Sequence, residues 1–145
     1  MIDPAEFDAA VRPGLTALVA QMQAHGTARD EPVRSTMGLL GDRWSALILL
    51  VLETGIWRHA ELRRTLALLS AEQAISQRVL TLKLRALERD GFVWRAASEH
   101  VPPQVSYGLT RLGDELVKEA RRMIAWIGAH RTTIETAREA FDRAD

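Results

Sequence analysis

Three leucines, Leu80, Leu84 and Leu87, recur at helical spacing between a serine at 76 and a glycine at 91. The spacing predicts one helix with a continuous apolar face. Ser76 suits its N-cap, because a hydroxyl there can accept from a free backbone N–H in the first turn. Gly91 suits the position just past its end, where the backbone turns left-handed. Arg78, Thr81, Leu82, Arg85 and Arg89 fall on the opposite face. A helix anchored by leucines on one side and armed with arginines on the other can enter a DNA groove. The same periodicity also describes an ordinary amphipathic surface helix. The residues around it decide between the two.

The chain has 145 residues, enough for one domain with a real core. No stretch is long and apolar enough to span a bilayer, and the N-terminus lacks the basic start and apolar run of a signal peptide. The expectation is a cytoplasmic protein with no membrane partner. There is no cysteine, which removes disulfides, thiolate metal sites and cysteine nucleophiles together. The four histidines are scattered, so no metal site and no cofactor is expected. No nucleophile with a matched base and no glycine-rich phosphate loop is visible, so no catalytic residue is assigned. Net charge is zero, but it is unevenly spread. Residues 57–96 hold eight basic and four acidic residues, whereas residues 1–56 hold four arginines against seven acids. A basic segment in a neutral chain fits a confined phosphate-facing surface.

In chain order, Asp3-Pro4-Ala5-Glu6 reads as a helix start, with Phe7, Ala10 and Val11 apolar and Pro13-Gly14 as a break. A second run places Leu15, Leu18, Val19 and Met22 on one face and ends at His25-Gly26. These helices are expected to pack against a second subunit. Asp30-Glu31-Pro32 starts a further helix in the same manner, with Val33, Met37 and Leu40 inward. Gly41-Asp42 is a boundary at which Asp42 caps the next helix, whose stripe is Trp44, Leu47, Ile48, Val51 and Leu52. A short strand at Ile56-Trp57-Arg58, a short helix from His59 to Leu66 and an extra segment from Ala67 to Ala74 follow. Within that segment Ser70-Ala71-Glu72-Gln73 resembles a capping box. After the leucine helix, residues 92–96 and 105–109 read as the two strands of a hairpin. Pro102-Pro103 lies in its long tip, since proline cannot sit in a paired strand. Thr110 caps a long helix with Leu116, Val117, Ala120, Met123, Ile124 and Ile127 apolar. A last helix carries Ile134, Ala137 and Phe141.

The order helix, strand, helix, helix, hairpin, long helix is that of a winged helix-turn-helix. Gly41-Asp42-Arg43-Trp44, Ile48-Leu49, Gly55, Glu61-Leu62-Arg63-Arg64, Ile75-Ser76, Leu80-Thr81 and Leu84-Arg85 extend the likeness. So do Leu87-Glu88-Arg89-Asp90-Gly91, Val101-Pro102-Pro103, Tyr107 and Leu109-Thr110 with Gly113. Over roughly residues 31–130 this set resembles the HxlR family, a branch of the MarR-like transcription regulators. The resemblance implies a mainly α fold with a small β-hairpin wing, dimerised through N- and C-terminal helices. It implies a homodimer on double-stranded DNA, at a pseudo-palindromic operator. The corresponding division is a dimerisation arm over 1–30, a winged helix-turn-helix over 31–110 and dimerisation helices over 111–145. Three departures stand out. Asp30-Glu31-Pro32 occupies the place where many members carry a cysteine, so thiol sensing is excluded. The segment 67–74 is longer than the usual turn, and residues 96–110 contain no Lys or Arg.

Ser76, Gln77, Arg78, Thr81 and Arg85 are the candidates for base and groove contact, since the start of a recognition helix reaches base edges. Gln suits adenine and Arg suits guanine. Arg58, Arg63, Arg64 and Arg89 are candidates for phosphate, positioning the protein without reading sequence. Trp44, Trp57 and Trp126 are candidates for a pocket that takes an aromatic small-molecule effector, against the plainer reading of core packing. The expected function is that of a sequence-specific transcription regulator, a repressor by default. The alternative is a winged-helix module that binds protein and not DNA. The uncharged wing and Leu82 speak for that alternative, and the arginines of the leucine helix speak against it.

Overall fold

The computed structural model describes residues 13–70 and 74–145. The helix start at Asp3-Pro4-Ala5-Glu6, with Phe7, Ala10 and Val11, lies outside the described residues, as do Ala71, Glu72 and Gln73 of the capping box. The chain divides into two compact units between Asp42 and Arg43.

In the first unit, α1 (Pro13–His25) begins at the proline read as a break. Gly26 ends it with φ +84°, donating its N–H to the Met22 carbonyl. α2 (Pro32–Leu40) starts as the sequence suggests: the Glu31 carboxylate accepts from the Arg34 N–H at 3.1 Å and proline takes the first helical position. Its expected inward face is covered only at Leu40, which is half-buried. Val33 and Met37 are exposed, and so are Leu18 and Met22 of α1. Helical periodicity reports which residues share a face and not whether anything covers it.

The second unit is built around α3 (Ser45–Leu52). Its N-cap is Trp44, whose own side chain makes no cap bond, and the helix begins at Ser45, three residues after Asp42. It is not a one-sided amphipathic helix. Ile48, Leu49, Val51 and Leu52 are all buried, because α4, β3 and α6 pack around it. α4 (His59–Leu69) follows the two-residue strand β1 (Trp57–Arg58). The extra segment therefore begins as a continuation of α4, ending with Leu68 and Leu69 exposed. It returns at Ile75, which is buried and whose carbonyl accepts from Arg63 Nε at 3.0 Å. α5 (Gln77–Arg89) is capped by Ser76, whose hydroxyl accepts from the Val79 N–H at 3.1 Å. Leu80, Leu84 and Leu87 have no exposed surface at all. Each such side chain contributes about 1.5–3 kcal/mol through burial. Gly91, at φ +82°, turns the chain into the sheet.

β2 (Val93–Ala97) and β3 (Val105–Leu109) form the hairpin, and β1 adds to the other edge of β3, giving an antiparallel sheet of order β1-β3-β2. Trp57 and Arg95 both stand opposite Tyr107. The tip is closed by Ser98, whose N–H donates to the Gln104 carbonyl at 2.8 Å and whose hydroxyl accepts from the Gln104 N–H at 2.9 Å. The corner into α6 (Arg111–Ala129) is tight. Thr110 donates its N–H to the Phe92 carbonyl and its hydroxyl to the Gly91 carbonyl, and that hydroxyl accepts from the Gly113 N–H. Val117 and Ala120 of α6 are buried in the core, and Arg121 pairs with Glu53 after the end of α3. Beyond that point the stripe emerges: Met123, Ile124, Trp126 and Ile127 are exposed. In α7 (Arg131–Ala144) Ile134 is half-buried and Phe141 is exposed. Among the described residues, seven helices with one small sheet make the mainly α, winged arrangement expected.

Candidate nucleic-acid interface

Because its leucines are fully buried, α5 has a fixed rotation about its own axis. That rotation leaves Gln77, Arg78, Leu82, Arg85 and Arg89 exposed along the opposite side. Arg78, Leu82, Arg85 and Arg89 follow each other at intervals of four, three and four, which keeps them on one stripe. Leu82, 57% exposed, sits in the middle of that stripe. Ser76 closes the N-terminal end, so its hydroxyl is already committed to the Val79 N–H.

A groove of about 770 Å³ runs between α5 and the sheet. Gln77, Thr81, Arg85 and Glu88 line it from the helix, Arg58 and His59 from the junction of β1 and α4, and Arg95, Gln104 and Tyr107 from the hairpin. Three guanidinium groups face one carboxylate there, so the groove favours an anion of extended shape. Thr81 does not stand free on the helix surface. It is half-buried, its hydroxyl donates to the Gln77 carbonyl at 2.9 Å, and His59 Nε2 lies 3.0 Å from the same oxygen. His59 is kept below the ordinary imidazole pKa, first by burial and then by the Arg63 charge.

The remaining candidates are more dispersed. Arg63 and Arg64 are exposed on α4, and Arg63 also uses Nε to hold Ile75. Arg89 lies at the last turn of α5, away from its N-terminus. Trp44 is buried in the second unit. Trp57 donates from Nε1 to the Thr54 hydroxyl at 3.0 Å. Trp126 is 61% exposed and stacks on His130 with ring centroids 4.2 Å apart. These three tryptophans belong to separate elements, and none lines the arginine groove. Among the described residues no group of three or more His, Asp or Glu side chains could hold a metal ion, and no single helix is long and apolar enough to cross a membrane.

Sequence reading missed His59 and Arg95 as members of one site. They come together only because β1 pairs with β3, placing the start of α4 beside the hairpin. A two-residue strand carries no periodicity from which that pairing could be read.

Residues 39–135 match the family described as HxlR-like helix-turn-helix. Among curated proteins, the uncharacterized HTH-type transcriptional regulator YdeP of Bacillus subtilis is 36% identical over 115 residues, 77% of this chain and 85% of the relative. The uncharacterized regulator YtfH of Escherichia coli is 36% identical over 100 residues, 69% of this chain and 75% of its own length. Among solved structures, the reduced form of the transcriptional regulator YodB from B. subtilis superposes with a TM-score of 0.56 at 35% identity, covering 66% of this chain and 89% of YodB. The reduced form of the redox regulator HypR gives a TM-score of 0.60 at 35% identity, over 72% of this chain and 98% of HypR.

Proposed function

We infer that this chain, which belongs to the HxlR-like helix-turn-helix family of DNA-binding transcription regulators, acts as a homodimeric repressor on a pseudo-palindromic operator. The observation that carries the reading is α5: its leucine face is fully buried and its arginine-bearing face is open beside an arginine-lined groove. In this reading the start of α5 enters a major groove. Gln77, Arg78 and Arg85 meet base edges there, with bidentate pairing of Arg to guanine and Gln to adenine supplying discrimination. Ser76 and Thr81 support them by capping and holding the helix. Arg58, Arg63, Arg64 and Arg89 neutralise phosphates and set the register. Arg58 and Arg95 face Arg85 across the groove, where one phosphodiester strand fits between α5 and the wing. The hairpin tip, without Lys or Arg, adds only polar and backbone contacts.

A second copy supplies the symmetry. The exposed apolar residues of α1 (Leu18 and Met22) and of α6 and α7 (Met123, Ile124, Ile127 and Phe141) are the surfaces that such a copy covers. An aromatic effector held at any one of the separated Trp44, Trp57 and Trp126 would act by changing the separation of the two α5 helices, which in a productive dimer is about one DNA turn, ~34 Å. The name of HypR records redox control; these 145 residues contain no cysteine through which a thiol could exert it.

The test is binding of the purified chain to a duplex from upstream of its own gene, compared with a scrambled duplex, across a salt series. Specific binding that weakens steeply with salt is expected, because phosphate contacts release counterions. Arg78→Ala is expected to cost on the order of 1–3 kcal/mol and to relax the preference. Equal, weak binding to every duplex would leave the open face of α5 to a protein partner instead.

A further inference from the structure

His59 is the titratable imidazole of the groove, and its hydrogen bonding fixes which ring nitrogen is open. Thr81 has a single hydroxyl proton, and it goes to the Gln77 carbonyl. The hydroxyl oxygen must therefore accept from His59, so Nε2 carries a hydrogen. In the neutral ring the other nitrogen, Nδ1, is left with a lone pair, and it makes no hydrogen bond with any described residue. The ring is held in place from the sheet as well, tilted at 54° against Tyr107 with centroids 6.2 Å apart.

The surroundings disfavour a second proton in the free protein. Burial disfavours the charged ring first, and the Arg63 charge on α4 adds to that effect. Around the groove stand Arg58 at the β1–α4 junction, Arg85 and Glu88 on α5, Arg95 on β2 and the Tyr107 phenol on β3. α3, which packs on α4, carries no titratable side chain. Cations thus outnumber the single carboxylate. A phosphodiester in the groove reverses the balance. It brings a negative charge, and its oxygens can only accept hydrogen bonds. Neutral His59 would offer it a lone pair at Nδ1, whereas imidazolium offers a charge-assisted N–H.

We propose that His59 is a further DNA-contact residue, one that takes a phosphodiester oxygen through Nδ1 as imidazolium, so that DNA binding draws a proton into the groove between α5 and the wing. The proposal rests on the reading of this groove as the DNA interface. Proton balance is simple: one proton is taken from solvent for each groove filled, and it is released when the duplex leaves. Thr81 keeps its contact throughout, because Nε2–H is present in both ring states.

The experiment is titration of a specifically bound duplex with the whole chain at constant salt between roughly pH 6 and 8, where imidazole is the ordinary side chain to change charge. Calorimetry in two buffers of different ionisation enthalpy accompanies it. Affinity is expected to rise as pH falls, with a limiting slope of tenfold per pH unit for each linked proton, hence up to about hundredfold for a dimer that fills two grooves. The binding heat should differ between buffers in proportion to proton uptake. In His59→Gln, which retains an N–H for Thr81 but cannot charge, both effects should vanish, and affinity should not exceed the high-pH value of the parent. His100→Gln, at the wing tip, should keep them. Tight binding with flat pH dependence and buffer-independent heat would overturn the role of His59 while leaving the DNA interface intact. A pH slope that survives in His59→Gln would do the same. Failure of the parent to bind any duplex specifically at any pH would instead remove the interface reading, and the proposal with it. The buffer comparison on the parent needs no variant, so the test holds even where His59→Gln folds poorly.

Discussion

Replacing Gly113 by alanine tests how the wing is fastened to the long helix. A Cβ built at Gly113 would lie 2.0 Å from the Phe92 carbonyl oxygen and 2.9 Å from its carbon. The first distance is roughly 1.5 Å inside van der Waals contact. The obstacle is backbone, and it is pinned: the Phe92 carbonyl accepts from the Thr110 N–H at 3.1 Å. Two effects compete. Alanine in a helix gains up to about 1 kcal/mol over glycine. Overpacking against a structure that cannot yield costs about 1–3 kcal/mol or more. The clash wins, and a net loss of about 1–2 kcal/mol is expected after the helix gain is subtracted, with a fall in thermal midpoint on the order of 3–6 °C. Gly128 on the same helix is the control, because a Cβ there meets nothing within 4 Å. Gly128→Ala should gain some tenths of a kcal/mol, up to about 1. Both are read by denaturant and thermal unfolding at one fixed protein concentration, since association shifts apparent stability. Opposite signs are expected. A Gly113→Ala protein as stable as the parent would refute the reasoning about this corner.

Two further outcomes concern the same framework. Leu84→Ala removes a side chain with no exposed surface from beneath α5, and should cost about 2–5 kcal/mol in denaturant unfolding, with DNA affinity falling as the helix loosens. His59 is held below its ordinary pKa in the folded chain by burial and by Arg63, so the unfolded chain binds more protons once pH falls below the usual imidazole range. Stability of the free protein should therefore decrease on acidification through that window, and less so in His59→Gln. Unfolding midpoints measured against pH give the sign.

How much of this was legible in the sequence depends on what each signal can carry. The α5 helix, its Ser76 cap and its Gly91 exit were readable because periodicity and cap chemistry are local, and the structure places all three as expected. The hairpin and the Thr110 cap were readable for the same reason. The stripe of α3 is legible as core, but its width is not: Leu49 lies off that stripe yet is fully buried, while Leu47 on it is half-buried, because elements pack on more than one side of the helix. Residue type alone offers Asp42 as a cap, and it does not fix where the helix begins, which is at Ser45 after Trp44. Val33 and Met37 were expected inside and are exposed, since an apolar face does not say what covers it. The groove was the least legible part. It depends on β1 meeting β3 over two residue pairs, and only that contact brings His59 and Arg58 opposite Arg95. Thr81 changes meaning in consequence: its hydroxyl is engaged with Gln77 and His59, where the sequence offered it to DNA.

The most direct measurement is a hydroxyl-radical footprint of the chain on its bound duplex, with Arg78→Ala alongside. Two patches of backbone protection are expected, with centres about one helical turn apart, roughly 10 base pairs, both weakened together in Arg78→Ala. A single unpaired patch, or protection indifferent to Arg78, would contradict the claim that two copies of α5 enter successive major grooves.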